Sequence, residues 1–405
     1  MNRRLLTAVA LCLLLPACVN QTIKSTSVPE IKTTASNVSE ELLLDVGIAV
    51  FDPGLEEYDE GQQVYPEVRK AEARYMPNLL SEAMQDSGAW GAVRVVPTQA
   101  QITDLLVTGK ILESDGEELS LQIQAIDSRN IVWLDKVYTS NASRYAYSAT
   151  KRNDRDPFQA VYNTIANDLL IKLEELRVVD RENIRLVSEL LFAQSFSTAA
   201  FEGYIAKNRQ DRYLIMRLPA TDDPMLERVR GIRERDNLFI DTMQEYHSDF
   251  NLQMVGPYQE WRKLSYEEAI ALQELKAEST RRLIAGGVAI LAGIAAGSSS
   301  DASSRAASNV AIIGGGYLLK SGLEKRGEAE IHVQALEELG MSLEAEITPS
   351  VIELDDRTVM LSGNVEDQYS QWRELLADIY QAEIGALELP SESAGTLGST
   401  DPLDD

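Results

Sequence analysis

Among its 405 residues the chain has only two histidines, His247 and His332, and two cysteines, Cys12 and Cys18. Two cysteines cannot build a disulfide framework or a cysteine-rich zinc site. Neither histidine stands at a metal-like or triad-like spacing. Both fall in charged helical stretches, so surface positions are expected for them. There is no Gly-rich phosphate loop, no Gly-x-Ser-x-Gly and no His-Glu-x-x-His. The expectation is a protein that is not an enzyme and that holds no cofactor and no metal. Bases are also in short supply: 38 stand against 64 acids, a net charge of −26. Such a surface repels nucleic acid and anionic head groups, and solubility in a crowded compartment accounts for it without a basic partner.

The first 20 residues carry the most specific signal. Arg3 and Arg4 precede an apolar run from Leu5 to Leu15, and Leu15-Pro16-Ala17-Cys18 closes it. The run falls short of the roughly 20 helical residues that span a bilayer. It fits a secretory signal with a small residue at the cut. Leu-x-Ala-Cys resembles the lipobox of bacterial lipoproteins, which implies a signal peptide over 1–17 and a palmitate-bearing lipid anchor on Cys18. Cys12 would leave with the signal, so no disulfide can form within the mature chain, and loss of Arg3 and Arg4 would leave 36 bases and a charge of −28. Val19 and Asn20 follow the cysteine in place of an aspartate, which in that family implies the outer membrane, with the body in the periplasm. Residues 18–40, rich in Ser, Thr and Val, read as a flexible tether.

From Leu42 the pattern changes to that of an α+β fold. Leu42 to Phe51 is a β-rich apolar run ended by Asp52-Pro53-Gly54. Glu67 to Ser87 has helical periodicity, with Gly88 where a C-terminal glycine belongs. Val93 to Val96, Asp104 to Glu113, Leu119 to Ile123 and Ile131 to Tyr138 read as strands, with turns at Asp115-Gly116 and Asp127 to Asn130. Asp156 and Pro157 open a helix that buries Phe158, Val161, Ile165, Leu169 and Leu173. Strand, helix, strand, meander and helix predict an α/β sandwich over 42–176 with helices on one face. The segments DVGIAVFDPG, ARYMPNLLSEAMQDSG with VRVVP, DLLVTGKI and DPFQAVYNTIANDLL resemble the periplasmic domain shared by the curli secretion lipoprotein CsgG, the peptidoglycan-synthase activator LpoB and the N-terminal domain of TolB. That resemblance implies binding to other envelope proteins or assembly into rings.

Residues 181–282 read as a helical region, with strand character only at Tyr213 to Leu218. Asp223 caps a helix from Pro224 to about Met254, with Leu226, Val229, Ile232, Leu238, Phe239 and Met243 as its apolar positions. Tyr258 and Trp261 are expected in a turn, and Ser265 with Glu268 matches a capping box that starts the next helix. Then comes a glycine-rich hydrophobic helical hairpin, 283–323. Leu283 to Ala296 and Val310 to Leu319 carry no charge. Gly286, Gly293 and Gly297 are seven and four apart, as Gly315 and Gly322 are seven apart. Glycine inside a helix costs roughly 1 kcal/mol against alanine, and a stripe of it is tolerated where backbones approach closely. Three uses stay open: the core of a soluble hairpin, a membrane-inserted glycine zipper, or a subunit interface.

Residues 324–387 read as a helix, a small C-terminal β-hairpin and a further helix bearing Tyr369, Trp372, Leu376 and Ile379. Val359 to Val365 resembles the V-x-L-x-G-x-V step of half a BON module, an envelope domain; docking of this unit on the helical middle is the plainer reading. Residues 388–405 have a disordered composition. Together these features predict a structural or secretion-associated component of an oligomeric envelope complex, a homo-oligomer in contact with the membrane through its lipid and the 283–319 hairpin. The alternative is a periplasmic regulator that binds an envelope enzyme such as a peptidoglycan synthase.

Overall fold

The computed structural model describes residues 22–25, 28–34, 39–56, 64–142, 146–147, 156–220, 222–295, 334, 337–338, 350–353 and 358–385. The chain is a mixed α and β protein. Its principal sheet has six strands: β1 (Thr22–Ser25), β2 (Val46–Ala49), β3 (Val93–Val96), β4 (Leu105–Ser114), β5 (Glu118–Asp127) and β6 (Val132–Asn141), in the order β1-β6-β5-β4-β2-β3. β4, β5 and β6 form the antiparallel meander that their turns predict, while β2 runs parallel to both β3 and β4. Leu119, Leu121, Ile123 and Ala125 alternate along β5 and are fully buried. They meet a core completed by α1 (Pro66–Gln85) and α2 (Gln159–Glu174), which touch each other. Pro66 opens α1, where its missing N–H costs nothing, and Gly88 follows its end at φ +63°. Asp156 does cap the approach to α2, its Oδ1 accepting the Phe158 N–H at 2.8 Å, but the helix begins two residues after Pro157.

The stretch expected to be a tether is partly structured. Thr22–Ser25 adds to the sheet beside β6 in parallel. Pro29 to Lys32 lies along α2, where Asn163 Nδ2 donates to the Pro29 carbonyl (2.8 Å) and Asn167 Nδ2 to the Glu30 carbonyl (2.9 Å). The Asn167 Oδ1 takes the Lys32 N–H (2.8 Å). Two amides one helical turn apart supply the backbone partners that an isolated extended segment lacks.

After α2 come α3 (Val178–Phe196), the single turn α4 (Thr198–Phe201) and a hairpin of β7 (Ile205–Lys207) with β8 (Tyr213–Ile215). Of these two strands, only β8 has a sequence signal. The largest departure is α5, one continuous helix over Pro224–Ala295. No turn occurs at Tyr258 or Trp261, and Ser265 starts no helix; its Oγ accepts the Gly116 N–H at 3.2 Å. The helix passes through Gly256-Pro257 because Leu226, Val229, Ile232, Ile240, Met243, Phe250, Met254, Tyr258 and Trp261 form one buried stripe at steps of three, four and seven or eight. Burial of such a stripe outweighs the roughly 3 kcal/mol local cost of an internal proline. Leu238, expected inside, lies off the stripe and is exposed.

The first part of α5 shares a core with α3 and with α6 (Val365–Gly385), where Tyr369, Trp372 and Leu376 are buried. The Phe239 and Trp372 rings stack at 4.9 Å. The C-terminal unit, which includes the hairpin of β9 (Ser350–Glu353) and β10 (Thr358–Leu361), thus docks on the helical middle. Further along, Phe250, Met254, Tyr258 and Trp261 pack on Val68, Ala71 and Tyr75 of α1. Where α5 passes the β4–β5 turn, backbone meets backbone. A Cβ at Gly116 would land on the Arg262 carbonyl oxygen and the Tyr266 nitrogen. Gly116→Ala is therefore expected to part the turn from α5 and to cost about 1–3 kcal/mol, read as a lower urea midpoint; an unchanged midpoint would refute this contact.

Candidate functional site

The α5 stripe contains three polar residues that an apolar seam does not need: Asp236, His247 and Arg262, all buried. Each sits at a junction between parts of the fold.

Arg262 has no exposed side-chain surface. Its Nη1 pairs with Asp156 Oδ2 at 2.6 Å, and its guanidinium lies 3.8 Å from the Tyr258 ring centroid and 5.0 Å from that of Phe158. One turn away, the Tyr258 hydroxyl donates to Glu72 Oε1 (2.6 Å), which also accepts the Ser114 hydroxyl (2.6 Å), and Arg69 Nε lies 3.7 Å from the other Glu72 oxygen. Burial pushes the Glu72 pKa up, against the pull of Arg69 and the two hydroxyl donors. This cluster joins α5, α1, the end of β4 and the start of α2. Arg262→Met leaves Asp156 buried without its cation, and a loss of about 3–5 kcal/mol of unfolding free energy is expected. Adding Asp156→Leu restores part of it; equal losses in the single and double variants would argue against the pair.

Asp236 bridges the β3–β4 loop and α6: Gln101 Nε2 donates to its Oδ2 (3.3 Å), as does the Tyr369 hydroxyl (3.3 Å), and Arg373 stands 3.5 Å away. The single Tyr369 proton is shared with Gln101 Oε1. Burial raises the Asp236 pKa, opposed by Arg373 and these donors.

His247, expected on the surface, is buried within reach of the Arg74 charge on α1. Neither ring nitrogen has a hydrogen-bond partner among the described residues. Burial, with the nearby Arg74 charge, lowers its pKa to about 4 from 6.5. The unfolded chain binds the proton first as pH falls. The neutral histidine thus costs nothing above pH 6.5, and stability is lost progressively between 6.5 and 4, by on the order of 3 kcal/mol in all. Wild type is expected to lose this stability between pH 7 and 4 while His247→Leu does not; parallel profiles in urea titrations would remove His247 as the cause.

Between α1, the outer edge of β3 and α5 runs a groove of about 1170 Å³. β3 ends the sheet, yet three of its outward backbone groups are satisfied. Gln244 of α5 accepts the Val95 N–H (3.1 Å) and donates to the Val95 carbonyl (2.7 Å), while Gln85 Nε2 reaches the Val93 carbonyl (3.1 Å). At the groove's mouth Arg94 grips Asp241 through two contacts, 2.6 and 3.0 Å. No three His, Cys, Asp or Glu side chains converge on a metal position among the described residues.

Cys18, Gly297, Gly315, Gly322 and His332 lie outside the described residues. Gly286 and Gly293 both belong to α5. At about 100° per residue they stand roughly 240° and 220° around the helix from Arg262. No helix is long and apolar enough to cross a membrane among the described residues. Spacing alone marks the glycines in the sequence. It gives no sign of Asp236, His247 or Arg262 as junctions, although a charge recurring on an apolar stripe is a signal that the stripe itself would have exposed.

No family model and no curated protein matches the chain. A solved structure that aligns with it is a dodecamer of a PelC point variant from Paraburkholderia phytofirmans, at 13% identity, over 36% of this chain and 94% of that one, with a TM-score of 0.19. At that TM-score the likeness carries no argument about fold or function.

Proposed function

We propose that the protein is a non-enzymatic outer-membrane lipoprotein, anchored through Cys18, that acts as a structural or secretion-associated part of an oligomeric envelope complex. The observation that carries this reading is the placement of the glycine face on α5. The helix is clamped to the sheet as far as Tyr266, whose ring meets Tyr147 at 5.3 Å. It then continues for 29 residues to Ala295, about 44 Å at 1.5 Å per residue. Within this extension lies the uncharged segment from Leu283, which holds Gly286 and Gly293. In this reading such a close-packing face serves to meet the second uncharged arm of the sequence, a further copy of the chain, or both, as in a ring of hairpins. The five strands within this range, with their meander and two helices in contact, support assigning 42–176 to the CsgG/LpoB type.

The test is labelling with palmitate followed by sizing of the detergent-extracted protein. Label and an oligomer are expected, with label lost in Cys18→Ser and the oligomer lost in Gly293→Leu. A Cys18→Ser variant that still takes label sinks the anchor. A monomeric wild type sinks the assembly.

A further inference from the structure

The β7–β8 hairpin departs from the rest of this acidic chain. Between Glu202 and Asp222 the sequence carries four bases, Lys207, Arg209, Arg212 and Arg217, and one acid, Asp211. Lys207 answers Asp211 at 2.8 Å, and the Arg217 guanidinium covers the Tyr204 ring at 3.9 Å. Arg209 and Arg212 are exposed and make no ion pair among the described residues. Three apolar side chains stand out from the same segment at every second position: Leu214 is 48% exposed, Met216 62% and Leu218 69%. Exposed apolar groups set among unpaired arginines, on a body that is otherwise strongly negative, match an anionic interface with an apolar interior.

The position of the hairpin matches too. It is fastened to the β5–β6 turn, where the Tyr213 N–H donates to the Arg129 carbonyl (3.0 Å) and Asn130 Nδ2 donates to Asp211 (2.9 and 3.0 Å). β1 runs parallel to β6, with Thr22 beside Val137 and Ser25 beside Ser140. The chain therefore enters β1 from the end of the sheet that carries this turn. Cys18 precedes Thr22 by four residues, a reach of at most about 14 Å.

We infer that the β7–β8 hairpin is a second membrane contact, in which Arg209 and Arg212 bind anionic lipid head groups while Met216 and Leu218 enter the interface. The net charge that argues against anionic head groups belongs to the whole chain and does not hold for this element. The placement argument rests on the Cys18 anchor; the charge and exposure of the hairpin do not.

The test uses the mature chain, 18–405, with Cys18→Ser to remove lipid, in sedimentation with vesicles of phosphatidylglycerol and phosphatidylethanolamine and with vesicles of phosphatidylcholine alone. Binding to the anionic vesicles only is expected, falling at about 0.5 M salt. The pair Arg209→Glu/Arg212→Glu weakens it by about tenfold or more, and Met216→Ser/Leu218→Ser weakens it at all salt concentrations. All four positions are exposed, and circular dichroism checks that the variants fold. No binding to anionic vesicles, or binding that both pairs leave unchanged, overturns the proposal. So does a loss of self-association without vesicle binding, which assigns the face to a second copy. Palmitate labelling separates the two claims: label with an inert hairpin sinks the hairpin alone, and vesicle binding without label sinks the anchor alone.

Discussion

The buried pairing of Arg262 with Asp156, beside the backbone contact of Gly116 with α5, fixes the rest of the structure. A guanidinium with no exposed surface has given up its water and must be answered in place. Asp156 answers it from the start of α2, and Tyr258 on the same helix ties Glu72 of α1 into the cluster. Three helices and a sheet turn are thereby held in one register. A slip of α5 by one residue would strand Arg262, Tyr258 and Glu72 together and would drive the helix backbone into Gly116. Buried ion pairs of this kind do little for net stability against an apolar alternative. Their effect here is on which arrangement is allowed.

That register also closes the sheet. An edge strand such as β3 offers unpaired N–H and C=O groups that invite another strand. Gln244 stands 18 residues before Arg262, about five turns of α5, and so shares its face. The helix that is locked at Arg262 presents an amide to Val95 that both donates and accepts, as a neighbouring strand would. A helix side chain thus takes the place of a seventh strand, and α5 bonds the domain laterally as well as packing on it.

The α+β architecture, the meander, α1, α2 and the hairpin-plus-helix unit at the carboxyl end were legible because each depends on local periodicity and turn chemistry. Gly88 and the Asp115-Gly116 turn are residues whose local role and final place coincide. The reading failed where tertiary contacts overrode local signals. Gly256-Pro257 and the Ser265 capping box argue for a break, yet the buried stripe runs straight through them. Ser265 finds its partner on the β4–β5 turn, a contact 149 residues away that no local pattern encodes. His247 looks solvated because its neighbours are charged, but its phase on the helix places it between Met243 and Phe250, both buried. Pro29 to Lys32 looks like a tether because what orders it, Asn163 and Asn167, lies more than 130 residues downstream.

The same long-range ordering bears on the anchor proposed at Cys18. A tether of some twenty free residues would let the body stand off the membrane and rotate at will. With β1 paired to β6 and Pro29 to Lys32 bound along α2, the first residue held in the sheet, Thr22, stands only four positions after Cys18 in the sequence. On the proposed anchor, a chain this acidic, −26 over its full sequence, would not sit that close to an anionic surface at random, because repulsion grows steeply within a Debye length of about 8 Å. It must present whichever of its surfaces is not negative. The β7–β8 hairpin, joined to the end of the sheet from which β1 starts, is such a surface, and Arg209 and Arg212, which make no ion pair among the described residues, would supply the attraction there. On the proposed anchor and the inferred hairpin contact, anchor, short linkage and basic hairpin would act as a single orienting device, setting the direction of the sheet, and through the Arg262 clamp that of α5, relative to the membrane plane.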